Sequence, residues 1–208
     1  MKLGKWVPLT LLVLGQGAMA GDLYVVGDIT HSKDSLKRSS FDSALTGAGA
    51  SGLTSSDSGS GNQWRLQLGY GFNSNLAIEG GYIDFGKAKY SAAYAGGGTG
   101  TGDLKAGGLD LVALGILPLS DKFSIFGKAG AVAVRAKSSL TANGAASAAT
   151  GDATANQVRP LIGLGASYKI ADNVDLRGEF DHVNGLGKST KTGTMDSNMF
   201  SLGVAYHF

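Results

Sequence analysis

Between Gln63 and Phe72 every second residue is large and apolar. Trp64, Leu66, Leu68, Tyr70 and Phe72 alternate with Gln63, Arg65, Gln67, Gly69 and Gly71. The C-terminal segment repeats the pattern, with Phe200, Leu202, Val204, Tyr206 and Phe208 opposed to Ser201, Gly203, Ala205 and His207. From Val174 to Asp181, the set Val174, Leu176, Gly178 and Phe180 opposes Asp175, Arg177, Glu179 and Asp181. A period of two predicts strands with two unlike faces. Extended along the chain, it predicts eight strands, near Asp22–Thr30, Gln63–Phe72, Leu76–Lys89, Gly108–Leu117, Phe123–Ala136, Val158–Ile170, Val174–Val183 and Ser197–Phe208.

The connections alternate in length. Asn73-Ser74-Asn75, the Pro118–Lys122 stretch and Ala171-Asp172-Asn173 are tight, and their Asn, Asp, Ser and Pro favour turns. His31–Asn62, Tyr90–Gly107, Lys137–Gln157 and Asn184–Asp196 are long and rich in Gly, Ser, Ala and Thr. The run Gly96–Gly102 offers nothing bulky to pack, so these four stretches read as flexible connections. Short turns on one side and long loops on the other, with an even strand number, are the pattern of outer-membrane barrels. The expected fold is therefore all-β: an eight-stranded antiparallel up-and-down transmembrane barrel with four long external loops and three short periplasmic turns.

Alternation alone does not say which face is inside. A soluble barrel would pack its rings and leucines inward. Here much of the polar set is Gly, Ala and Ser, which suits the narrow interior of an eight-stranded barrel. Three places resist a simple assignment. Gly108–Leu117 is apolar on both faces after Asp110, and we assign Asp110 inward with Leu109, Leu111 and Ala113 outward. Asp84 interrupts the apolar face after Tyr82, as expected where a strand leaves the hydrocarbon. Lys128 and Arg135 are separated by an odd number, so either Arg135 faces outward above the membrane or a bulge intervenes. Tyr70, Phe72, Phe123, Tyr168, Tyr206 and Phe208 cluster by the short turns, as an interfacial girdle or as ordinary cross-strand packing.

The first twenty residues change the picture in one respect. Met1, Lys2 and Lys5 precede an apolar stretch from Trp6 to Leu14, and small residues end in Ala18-Met19-Ala20. That order reads as a secretory signal peptide, residues 1–20, cut after Ala20, with the barrel domain over 21–208. Of the 18 Lys+Arg, Lys2 and Lys5 fall in the leader, and the rest are matched by the 16 Asp+Glu. A nucleic-acid partner, which needs a basic excess, is not expected. With no cysteine there is no disulfide framework, and past the leader no apolar run is long enough for a spanning helix.

The ending Met199–Phe208, the segment Ile78–Gly86 and the turn-and-strand Leu117–Gly130 together resemble OmpA-like transmembrane domains, the small porin-family barrels of the outer membrane. The resemblance spans the mature chain apart from its long connections. It implies a bacterial outer-membrane location, contact with lipid and lipopolysaccharide, and delivery by periplasmic chaperones to the barrel-assembly machinery. Gly203, Val204, Tyr206 and Phe208 match the C-terminal signal which that machinery reads. Glu79, Lys128, Arg177 and Glu179 match the family's lumen charges, which pair across the barrel and can gate it. One family lysine falls at Leu114 and one family glutamate at Ser167. An Arg177–Glu79 or Arg177–Glu179 contact would keep these charges paired, as either a gate or a purely structural plug. The larger members carry a peptidoglycan-binding domain, and with the sequence stopping at Phe208 that activity is not expected here.

Catalysis and metal binding have little support. The histidines are His31, His182 and His207, and where barrel deacylases carry His-x-Ser-Asn this chain reads His182-Val183-Asn184-Gly185. No cofactor is expected, and no His, Cys or carboxylate set has metal-ligand spacing. The glycine run lacks the Gly-Lys-Ser/Thr ending of a phosphate loop. Three roles stay open: a structural or surface-interaction barrel whose external loops meet host or environmental ligands, a small pore, and, with least support, a lipid A-modifying enzyme.

Overall fold

The computed structural model describes residues 21–208. The leader read over residues 1–20, with Ala18 and Ala20 at its cleavage site, lies outside them. β1 (Asp22–Lys37) is followed by helix α1 (Ser39–Gly47) and a short strand β2 (Thr54–Ser58). Then come β3 (Ser60–Asn73), β4 (Leu76–Tyr94), β5 (Gly98–Pro118), β6 (Phe123–Ala142), β7 (Gly151–Ala171), β8 (Val174–Lys188) and β9 (Gly193–His207). All strands except β2 form a closed antiparallel barrel of eight, each pairing with its sequence neighbours and β9 with β1. Closure gives each backbone polar group a partner on the next strand, which a lipid environment demands. It also leaves no edge to recruit another chain.

The faces divide as membrane burial requires. Leu202 is 73% exposed and Leu109 65%, and Ile29, Leu66, Leu68, Leu111 and Leu164 join them on the outer wall. Inside lie Arg65, Gln67, Glu79, Lys128 and Arg177. The Trp64 and Tyr82 rings meet at 5.4 Å at the upper border of this apolar belt. Tyr70–Phe72 and Tyr206–Phe208 form edge-on pairs at its lower border.

The three ambiguous places resolve. Asp110 points inward, with Leu109, Leu111 and Ala113 outward. Strand β6 pairs with both neighbours without a register shift, so Lys128 is inside and Arg135 outside, with no bulge between them. At Asp84 the pairing of β4 and β5 slips. Gly86 adopts φ 72°, which suits glycine, and its amide donates to Asp84 Oδ1 at 2.8 Å. The inward set thereby changes from Ile83 and Phe85 to Ala88, Tyr90, Ala92 and Tyr94.

The external segments are built differently from the flexible connections expected. β5 and β7 each have 21 residues, whereas a tilted strand crosses the hydrocarbon in about ten. Tyr90–Gly107 is mostly paired strand, turning only at Ala95–Gly97. The β6–β7 hairpin turns around Gly144–Ala149, and β8–β9 closes just after Lys188. Among the described residues, only between β1 and β3 does a long irregular excursion remain, holding α1 and β2. There β2 takes the place of β3 against the outer end of β4.

The glycines explain how this end packs. A Cβ at Gly100 would lie 2.9 Å from Leu45 Cδ1, and one at Gly102 3.0 Å from Phe41 Cε1. The run that looked featureless is a strand whose small inner face admits the helix. Phe41 and Leu45, four residues apart on one face of α1, are buried inside the mouth.

Candidate functional site: the barrel interior

Period-two geometry aims charges from six strands into one layer. Arg65 on β3 is the hub. Its Nε donates to Asp28 Oδ2 at 2.9 Å, its Nη1 to Asp181 Oδ2 at 2.6 Å, and its Nη2 to Glu179. Lys128 bonds Glu179 and lies 3.0 Å from Asp181 Oδ2. Arg177 donates to Glu79 Oε1 at 2.5 Å and meets Glu179 Oε1 at 2.6 Å. The Tyr24 hydroxyl donates to Glu79 Oε1 at 2.9 Å, and Gln67 Nε2 to Asp110 Oδ2 at 2.6 Å. Arg177 also lies over the Phe126 ring, 4.6 Å from its centroid. These charged side chains are buried, so each depends on its neighbours for the stabilisation water would otherwise give.

Small residues on facing strands create the room. A Cβ at Gly203 would fall 1.9 Å from Asp28 Oδ1, and one at Gly163 1.9 Å from Asp181 Oδ1. Gly203 thus sits where a larger residue would displace a lumen carboxylate.

Glu79, Lys128, Arg177 and Glu179, singled out from the sequence, share this network. Arg177 reaches both glutamates, so the two pairings considered are joint rather than exclusive. Arg65, Asp28 and Asp181 were not among the singled-out lumen charges, yet Arg65 holds three carboxylates. Its place on the polar face of Gln63–Phe72 was the available signal. Leu114 is buried inside opposite Lys128, and Ser167 Oγ donates to Asp175 Oδ2 at 3.1 Å. Val204, Tyr206 and Phe208 face outward at the lower border.

Above the charges the interior stays filled. Asp34 accepts from Ser197 at 2.6 Å and from Ser32 at 2.8 Å, and Gln63 donates to the Phe85 carbonyl at 2.5 Å. Burial pushes the Asp34 carboxyl above its ordinary range, with the bonds from Ser197, Ser32 and Gln63 opposing. Next comes an apolar plug of Ile83, Phe85, Leu104 and Val134, and at the top α1. The histidines lie apart. His31 is on the outer wall, His182 bonds Asn198 through Nδ1 at 2.8 Å, and His207 contacts Asp22 and stacks on Tyr24 at 5.1 Å.

Residues 37–208 match the OmpA-like transmembrane domain. The chain belongs to that family. Outer membrane protein A of Yersinia pseudotuberculosis serotype I is 31% identical over 142 residues, covering 68% of this chain and 38% of the relative. The Klebsiella pneumoniae protein is 30% identical over 141 residues, covering 67% and 39%. The chain therefore spans well under half the length of these relatives. Among solved structures it is similar to Neisserial surface protein A, with a TM-score of 0.55 and 19% identity over 89% of this chain and 97% of that one. OprG of Pseudomonas aeruginosa gives 0.54 and 14% over 92% and 98%. The attachment invasion locus protein of Yersinia pestis, solved with the heparin analogue sucrose octasulfate, gives 0.52 and 12% over 90% and 99%. These structures share the fold. As an OmpA-like domain, the chain resides in the bacterial outer membrane, its outer wall on lipid and lipopolysaccharide.

Proposed function

We propose that this barrel is a closed scaffold with a structural or surface-interaction role, meeting partners outside the cell through its external hairpins. The observation that carries the proposal is the filled interior: a charged layer around Arg65, an apolar plug above it, and α1 seated in the mouth. An eight-stranded lumen has room for side chains but not for a wide water column. The heparin analogue held by the Yersinia pestis attachment protein supports an external ligand on a barrel of this shape.

Liposome swelling with the refolded protein tests closure. Sugar entry no faster than in protein-free liposomes is expected, and fast entry would favour the pore instead. Shortening the tips at Ala95–Gly97 and Gly144–Ala149 should lower the binding of expressing cells to host matrix without changing heat-modifiable gel migration. Unchanged binding would count against the surface role. The proposed role is non-catalytic, and an altered lipid A mass on expression would overturn that part. We further propose export by the leader cut after Ala20, and recognition of β9 through Gly203, Val204, Tyr206 and Phe208 by the barrel-assembly machinery after chaperone escort.

A further inference from the structure

The outer wall of β4, β5 and β6 carries a second feature, unconnected with the lumen. Cross-strand pairing sorts its residues into rows. Tyr82, Leu109, Ala133 and Val158 form the last apolar row. In the next row Gly107 pairs with Arg135. In the row above, Lys87 pairs with Lys105, and Lys105 with Lys137. Successive rows are about 7 Å apart along a strand, so the cations stand directly over the edge of the apolar belt.

Like charges placed directly opposite each other destabilise a sheet. Lys87 is answered by Asp103 at 3.0 Å. Among the described residues, Lys105, Arg135 and Lys137 have no carboxylate at ion-pair distance. Asp84, opposite Gly107 on the other side, accepts from the Gly86 amide through Oδ1 and forms no ion pair with them. The three cations line one groove with Tyr82, Gly107 and Leu109. Gly107 lets the Tyr82 phenol lie across its floor: a Cβ there would come within 2.6 Å of the Tyr82 hydroxyl. The groove thus presents a guanidinium fork, two ammonium groups and a phenol, with apolar wall immediately below.

We propose that this groove seats a phosphate of the phosphorylated glycolipid in the outer leaflet, its acyl chains lying on Leu109 and Val158. Arginine matches phosphate oxygens with two parallel N–H donors, while lysine supplies point charge. A soluble anion would use the same donors but would gain nothing from the apolar row beneath. The row therefore favours a headgroup whose charge and chains leave the same molecule in opposite directions.

Native mass spectrometry of the refolded full barrel, released from nanodiscs containing bisphosphorylated lipid A, tests the site. Replacing Lys105, Arg135 and Lys137 together by Gln should lower retained lipid A at least ten-fold. Lys33→Gln with Lys191→Gln should leave it unchanged. Dephosphorylated lipid A should be retained by the native barrel as weakly as lipid A is by the triple variant. Arg135→Lys keeps the charge but loses the fork, and should lower retention several-fold even if the triple variant folds poorly. Equal retention in the triple variant or in Arg135→Lys would overturn the site. Equal retention of dephosphorylated lipid A would exclude phosphate as the recognised group. Displacement by equimolar inorganic phosphate, or equal retention of phosphatidylglycerol, would overturn the assignment to the glycolipid.

Discussion

The Phe41 ring of α1 stacks on the Tyr90 ring of β4 with centroids 4.9 Å apart, and the Tyr90 hydroxyl donates to Asp42 Oδ1 at 2.5 Å. One ring belongs to the helix and the other to the wall, so this contact fastens the helix inside the mouth. Burial is the main cause that raises the Tyr90 phenol above its ordinary pKa, with Asp42 adding to it, so the donor stays protonated through the physiological range.

Phe41→Ala should release α1 without opening the barrel. Truncating a buried Phe costs about 3–5 kcal/mol, and here the loss falls on the helix. Hydrogen exchange over Ser39–Gly47 should accelerate at least a hundred-fold while β3–β9 amides keep their protection. Slow exchange over α1 would mean that the helix is fixed by other contacts.

Gly100→Val should have a similar effect from the opposite side. Even a Cβ at this position lies 2.9 Å from Leu45, so the two methyl groups of Val compete with Leu45 for the same space. Protease cleavage after Arg38 on intact cells should become fast in the variant and stay slow in the native protein.

Arg65→Met should destabilise the whole barrel. It strands Asp28 in a buried layer and leaves Asp181 to Lys128 alone, and Glu179 to Lys128 and Arg177. Removing one partner from a buried pair costs about 3–5 kcal/mol. The urea midpoint in detergent micelles should fall. Single-channel recordings of Arg65→Met and Arg177→Ala beside the native barrel separate a gate from a plug. Traces identical to the native ones would make the charges purely structural.

Asp34 should make the external end tighter in acid. Its folded-state pKa is raised by burial, against the bonds from Ser197, Ser32 and Gln63, so the folded form favours the proton. The stabilisation is complete below the ordinary carboxylate range and is lost as pH rises through the raised value. Hydrogen exchange around Ser32–Leu36 should quicken with pH beyond its chemical rate. Asp34→Asn, which cannot ionise, should flatten that dependence.

Much of this was legible from alternation alone. Trp64, Leu66 and Leu68 facing away from Arg65 and Gln67 fixed the wall, and three turns of Asn, Asp, Ser and Pro fixed its lower rim. Thr99-Gly100-Thr101-Gly102 was misleading, because glycine disfavours strands in isolation. What holds it extended is pairing with β4 and β6, which no local pattern displays. Helix α1 left only Phe41 and Leu45 as its trace, and nine residues are too few to form a stable helix without tertiary support. The hub role of Arg65 depends on three strands converging from distant parts of the sequence, so parity could place its side chain inside but not name its partners.

The paired external hairpins bear on how a partner would be met under the proposed surface role. A floppy segment fixed by a ligand surrenders about 1–2 kcal/mol of backbone freedom per residue. Here that freedom is already gone before any encounter, so modest contacts by threonine, serine and alanine can translate into long residence. The corollary is selectivity. A stiff surface cannot remould itself around a variant ligand, and exchanging one outward side chain should retune what is held while the barrel beneath stays the same.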